Sequence, residues 1–374
     1  MIENLDELTR PVIDIYDQIE MDLLEAVGRR FDSYREISGT LEWQLKKLDE
    51  LGALNAETVR IIASYSRKSD AAIRKMLQRA GFGNIDTAVL DSAYRAGALM
   101  TSPGKILESP VLRSAIEDGY RELTGNFRMI RTKAVESVKE EYMRVLNRAY
   151  IETSSGIYDY NTSIRRSLKD FADRGITAAT YRRGEKTVHY SIEAAVRRDT
   201  LTAVHQAANR NSFALVNELG AEYVEVSSHA GARYSASNLI ANHIGWQGKV
   251  YKINGFDEKY GNLKNNTGYP DDIQGLGGVN CRHRMYPFFP GITEPMAMQY
   301  NEEASRRRYE LTQRQRAKER RIRRLKKERT VMRAAMQPTE AIDKKLDAAY
   351  EDIREFCTEH GLDREWNREA LQGE

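Results

Sequence analysis

The chain has 374 residues, with 58 Lys and Arg against 55 Asp and Glu, a formal net charge of +3 and a hydrophobic fraction of 41%. That length allows two or three domains. A mean hydropathy of −0.64, with no run of about 18 apolar residues, excludes a membrane-spanning helix. Two cysteines far apart exclude a disulfide framework and point to a reducing compartment.

The first residues, MIENLDELTR, are acidic and polar and lack the apolar stretch of a secretory signal. The protein is therefore expected to be made and kept in a cytoplasm, or packaged from one. Leu5, Leu8, Val12, Ile15, Ile19, Leu23 and Val27 recur in steps of three and four, which predicts a helix beginning near Leu5 or at Pro11. Further helices are expected over 41–51 and 56–79, the latter closed by Gly81. Another is expected over 86–100, ended by the Ser-Pro-Gly at 102–104. Residues 111–152 read as one or two long helices, with a break near Gly119 to Gly125. A helix over 163–175 is capped by Ser163 or Thr162 and stopped by Gly175. A long helix spans 191–220, where His205 and Asn209, four apart, share one face. Two readings of that pair stand together: ordinary packing, or a metal or polar network.

Strand signals follow Gly220: Tyr223, Val224 and Val226; Val250, Tyr251 and Ile253; and Met285 to Phe289. They predict a small sheet with helices on one face. After Pro295 the chain becomes strongly basic, and Ile322, Leu325, Met332 and Met336 form a heptad-like seam interrupted by Arg329. Pro338 ends that helix, and a last helix pair covers 340–371. Arg316, Lys318, Arg320, Arg321, Arg323, Arg324, Lys326 and Lys327 are candidate contacts for nucleic acid or another anionic surface. The alternative is a solvated helix face. No base-reading motif accompanies them, so any DNA contact would be non-specific and salt-sensitive. The fold class is thus α+β, mostly α. A long helical N-terminal region (1–185) is followed by a small β-containing, loop-rich module (186–295) and a basic helical C-terminal arm (296–374).

The chemistry concentrates in the module. Cys281 and His283 are two apart, so on a strand they share a face. With His229, and His243 as a candidate fourth, they form a sulfur and imidazole set suited to zinc. A second reading keeps His229 and His283 hydrogen-bonded to backbone, with Cys281 as a small buried hydrophobe. A third is catalytic: Cys281 as nucleophile with a histidine base, or His229 oriented by Asp271 or Asp272. No Walker A loop, GxSxG elbow or HExxH helix is present. GLGGVN (275–280) precedes a strand and reads as a tight turn needing positive φ rather than a phosphate cradle. Arg233 and Arg282 flank the cluster, where they could bind an anion or, the more ordinary reading, pair with Asp271 and Asp272. Trp246 and the aromatics at 286–289 read as core.

SSHAGAR (227–233), WQGKVY (246–251), TGY (267–269) and GLGGVNCRHRMYPFFPG (275–291) together resemble the phage minor capsid protein 2 family. That family belongs with the head morphogenesis proteins of tailed bacteriophages and looks related to the Mu F-type module. The resemblance covers about 190–295. It implies a low-copy structural protein of the phage head, not an enzyme, assembled in the host cytoplasm. The expected partners are the portal protein, capsid or scaffolding protein and non-specifically held DNA, without a membrane. Mu F-type modules end in a Cys/His cluster, and NCRH (280–283) stands in the comparable place, so the ligand role carries to His229, Cys281 and His283. The chain departs from the family between HAGAR and WQGKVY, where YSASNLIANHIG carries His243. Because some Mu F-type relatives are fused to toxin domains, a virion-borne hydrolase or transferase using the His, Cys and Asp residues is the alternative.

Overall fold

In a computed structural model of the chain, the helical periodicities become long, continuous rods. The structure describes residues 5–32, 41–82, 90–91, 94–97, 104–105, 109–183 and 186–371. In chain order the main elements are helices α1 (Leu5–Asp32), α2 (Leu41–Phe82), α3 (Pro110–Ser154) and α4 (Tyr160–Arg174), strands β1 (Thr177–Arg183) and β2 (Lys186–Ser191), and helix α5 (Ile192–Glu218). There follow β3 (Tyr223–Val226), α6 (His243–Trp246), β4 (Val250–Lys252), β5 (Gly261–Asn262), α7 (Leu263–Thr267) and β6 (Met285–Phe288). The chain ends in α8 (Glu302–Ala334), α9 (Glu340–His360) and α10 (Trp366–Glu369). The mostly-α, α+β class is as expected. No helix among the described residues is long and apolar enough to cross a membrane.

Several local expectations are corrected. α1 runs through Pro11, which sits in its second turn, where a missing amide removes a single backbone bond. The helices expected over 41–51 and 56–79 are one rod, and Gly81 lies inside it. α3 is unbroken through Gly119 and Gly125, since a glycine costs a helix interior only about 1 kcal/mol. α4 starts three residues early because Asp159, not Ser163 or Thr162, is its N-cap and accepts from the Thr162 amide at 3.0 Å. Gly175 ends it as expected, with φ 67°. β1 and β2 form an antiparallel hairpin in a stretch where no strand was expected. The helix expected over 86–100 falls largely outside the described residues. Met336 leaves the seam: it stands beyond α8 with φ 53° and is exposed, while Ile322, Leu325 and Met332 are buried.

The chain forms two compact units, each assembled from three separated segments. They do not coincide with the consecutive regions 1–185, 186–295 and 296–374. The first comprises 1–10, 72–124 and 198–314. It holds a four-stranded sheet of order β5-β4-β3-β6, with β3 antiparallel to both β4 and β6, and β4 parallel to β5. Val224, Val226, Trp246, Tyr251, Met285 and Phe289 pack there with Leu215 and Val216 of α5 in one core.

The second unit comprises 11–71, 125–197 and 315–374. Its α1 residues are buried nearly all round, and with them two carboxylates, Asp17 and Glu20. Gly28 brings α1 close to α8: a Cβ there would meet Val331 O and Ala334 Cβ at 2.9 Å. The Tyr16 ring packs edge-on to Phe127 at 4.7 Å, while its hydroxyl accepts from Ser69 and Arg131.

Below Tyr16 lies an ionic knot. The Glu20 carboxylate accepts from the amides of Ile176 (3.1 Å) and Glu193 (2.7 Å), capping the start of α5. Lys327 reaches both Glu20 (3.2 Å) and Glu193 (2.9 Å), and Arg323 meets Glu193 at 2.6 Å. Burial alone would raise the Glu193 carboxyl, but Lys327, Arg323 and Arg197 outweigh it and hold the group well below the usual carboxylate range. Burial would likewise lower Lys327, yet Glu193 and Glu20 raise it. Asp17 is less well compensated. Burial, with Glu193 adding to it, pushes it up to about 7 against Arg197 at 3.5 Å and the weaker pull of Lys327 and Arg323, and its Oδ1 has no hydrogen-bond partner.

Lys327→Met leaves the buried Glu20 without its cation and Glu193 with only Arg323 and Arg197, and is expected to cost about 3–5 kcal/mol in denaturant unfolding near neutral pH. A loss below about 1 kcal/mol would show that the knot contributes no such compensation. Asp17 acts with the opposite sign. Its folded value lies above the unfolded value of 3.8, so its contribution is full below about pH 4 and is lost as pH rises through about 7. In that window the wild-type unfolding free energy should fall by up to about 1.4 kcal/mol per pH unit from this group. Asp17→Asn should flatten the slope, and equal slopes in the two proteins would sink the assignment.

Candidate metal centre

Three loops of the first unit converge on one buried point. β3 runs into Ser227–His229, α6 opens on His243, and the residues before β6 supply Cys281 and His283. The glycine-rich turn presents the cysteine. Gly277 has φ 73° and Asn280 φ 57°, and a Cβ at Gly275 or Gly278 would overlap the carbonyl of Thr267 or Ile273. The turn is therefore the tight one expected. Arg233 does not pair with Asp271 or Asp272. It donates to the carbonyls of Gln274 (3.0 Å) and Val279, stapling the turn. Asp271 pairs instead with Lys264, and Asp272 accepts from the Gln274 amide. Neither is recorded bonding His229.

His243, Cys281 and His283 are all buried, and their candidate ligand atoms lie within 4.8 Å of one another. Cys281 Sγ is 3.6 Å from His283 Nδ1, the edge length of about 3.6 Å that tetrahedral Zn–S and Zn–N bonds imply. The surroundings set both tautomers. His243 Nε2 lies 2.8 Å from the Gln274 carbonyl, which can only accept, so Nε2 carries the proton and Nδ1 keeps its lone pair. Gln247 Oε1 already accepts from the His229 amide at 3.0 Å, so it also accepts from His283 Nε2 at 3.0 Å. The lone pair of His283 Nδ1 then faces the cysteine. A backbone carbonyl and a side-chain amide thus orient two imidazoles as outer-shell partners do at metal sites.

Burial keeps the centre uncharged. It lowers His243 to about 4 and His283 well below its ordinary value, each with help from neighbouring histidines, and it raises the Cys281 thiol. Two neutral imidazoles and a cysteine are a fitting donor set for zinc, whose binding would expel the thiol proton. The same features disfavour a thiolate nucleophile, which needs a lowered pKa and access.

His229, placed first in the expected ligand set, is only half-buried. Its ring stacks on His283 at 4.6 Å, and its Nδ1 is 3.2 Å from the Ala230 carbonyl. The candidate fourth ligand, His243, stands inside the set instead. Trp246 packs against both His243 and His283 and donates to the Ile240 carbonyl at 2.8 Å. Gln247 and Gln274 carry no pattern that would announce an orienting role. Asn209 does belong to a polar network, bonding His283 O and Met285 N at 3.1 Å each.

The basic residues lie in the second unit. Arg323 and Lys327 are buried in the ionic knot. Lys318 pairs with Asp352 at 2.5 Å, and Lys326 lies over the Tyr350 ring. Arg320, Arg321 and Arg324 are exposed, with Asp352 3.9 Å from Arg321 and Asp173 3.5 Å from Arg324, and Arg316 is half-buried.

A family model described as phage minor capsid protein 2 matches residues 3–358. A protein of Lactococcus phage LL-H named "Structural protein" is 21% identical over 296 residues, covering 76% of each chain. No solved structure matches.

Cys281 should resist alkylation near neutral pH in the folded protein, reacting only as fast as the first unit opens. Modification as rapid as that of a small thiol would contradict the buried, protonated cysteine and favour a catalytic one.

Proposed function

The chain belongs to the phage minor capsid protein 2 family, and from that membership we propose that it is a low-copy component of the phage head, placed at the portal and the procapsid interior. Its role in the particle is structural. The observation that carries this reading is the length of the match, which runs from residue 3 to residue 358 and so takes in both units. The family character is thus spread over the helical framework rather than confined to the Cys/His module.

Within that reading, the His243–Cys281–His283 centre is a zinc staple for the loop-rich part of the first unit. Loops 227–249 and 263–284 hold little regular structure, and a metal tying them together does the work a larger core would otherwise do. His229 is an outer member that covers His283. The exposed arginines Arg320, Arg321 and Arg324 are the part of the basic helix that faces an anionic partner, DNA or an acidic face of portal, capsid or scaffolding protein. Assembly takes place in the host cytoplasm, before the head is filled.

Purified virions provide the test. The chain should be detected by quantitative mass spectrometry at far fewer copies than the major capsid protein. A phage carrying Cys281→Ala and His283→Ala should package less of it and lose infectivity. Absence of the wild-type chain from particles would overturn the head assignment. Normal content and normal infectivity of the double variant would overturn the structural role of the centre.

A further inference from the structure

His205 is a buried histidine on α5, only 3% exposed, and neither ring nitrogen has a hydrogen-bond partner among the described residues. A neutral imidazole has one N–H to donate and one lone pair to fill, so both capacities are wasted here. Buried polar groups left this way are uncommon in native proteins and call for an explanation such as an absent ion.

The position of His205 follows from its neighbours on the helix. Three residues earlier, Thr202 Oγ1 accepts from the Asn280 amide at 3.4 Å. Four residues later, Asn209 holds His283 O and Met285 N. Residues 202, 205 and 209 follow the three-and-four spacing of one helix face. That face runs along the segment 280–285, anchored at both ends, and His205 falls between the anchors, beside Cys281 to His283.

We propose that His205 is the fourth protein ligand of the His243–Cys281–His283 centre, completing a one-sulfur, three-nitrogen sphere for zinc. The inference rests on the zinc reading given above. His205 stands outside the three donors that lie within 4.8 Å of one another, so binding requires its side chain to turn toward them. The competing histidine, His229, is less suited. Its ring lies nearly parallel to His283, with 27° between the planes, which sets the nitrogens of the two rings side by side rather than converging on one point. Four protein ligands leave no open coordination position, which is the arrangement of a structural zinc site rather than a catalytic one.

Cobalt(II) titration of the full chain tests the assignment, because four-coordinate cobalt absorbs strongly in the visible and a bound thiolate adds a near-ultraviolet charge-transfer band. The wild type should show both bands. His205→Leu replaces an orphaned polar ring with an apolar side chain of similar size, so the metal-free fold should persist, as circular dichroism would confirm. It should keep the charge-transfer band, lose most of the visible intensity and bind cobalt at least about tenfold more weakly. His229→Ala should retain both bands. A wild-type spectrum and affinity in His205→Leu, or loss of the visible bands in His229→Ala, would overturn the assignment of His205 alone. Failure of the wild type to bind cobalt would overturn the zinc reading with it.

Discussion

Lys327 is held between two carboxylates in an interior from which water is nearly excluded, and the second unit is arranged around that constraint. A charge is tolerated there only if its opposite arrives with it. Glu20 comes from α1, Glu193 from the first turn of α5, and Arg323 and Lys327 from α8, so three segments remote in sequence have to meet in one register. Apolar packing alone is more forgiving. An α1 displaced by one turn would still present apolar residues, because Val, Ile and Leu recur along its whole length. Its two carboxylates would then face no cation, and Gly28 would no longer lie where α8 approaches closely. The ions contribute specificity more than net stability.

The Cys/His centre follows the same rule by the opposite route. Its groups are kept neutral, not paired, and their orientation is set by acceptors that cannot act otherwise: the Gln274 carbonyl and a Gln247 oxygen already committed to the His229 amide. The result is a small, dry cluster with its lone pairs turned inward. Such a cluster suits a part of the particle that must hold its shape, and it offers little to a reaction that needs a charged nucleophile.

Much of this was legible in the sequence. Residues spaced by three and four announced the helices, and the β-branched and aromatic runs announced β3, β4 and β6. The pair Cys281 and His283 was visible from its close spacing, but the strand alternation expected to align them is not what does so: both precede β6 and are presented by the glycine-rich turn. Other features had a weak local signal or none. The β1–β2 hairpin does hold strand formers, Thr180, Tyr181, Val188 and Tyr190, but Ala178, Ala179, Arg182 and Arg183 dilute them. His243 opens a single helical turn in a linker with no helical periodicity of its own, its far end anchored by the buried Trp246. Arg323 and Lys327 read like every other cation of a basic helix, and their burial is decided by Glu20 and Glu193, more than a hundred residues away. Likewise α2 and α3 run through glycines that in isolation suggest breaks.

The interleaving of the two units bears on how the chain comes into being. Glu20 leaves the ribosome some 300 residues before Lys327, which at 5–20 residues per second is roughly 15–60 s. Throughout that interval Glu20 lacks Lys327, and α1 has no α8 to cover its apolar flank. A nascent chain in this condition is exposed to aggregation and to chaperones, and it cannot complete either unit by finishing one end first. The segment 315–374 therefore acts as the timer for the second unit, whose ionic knot closes only once α8 has been made.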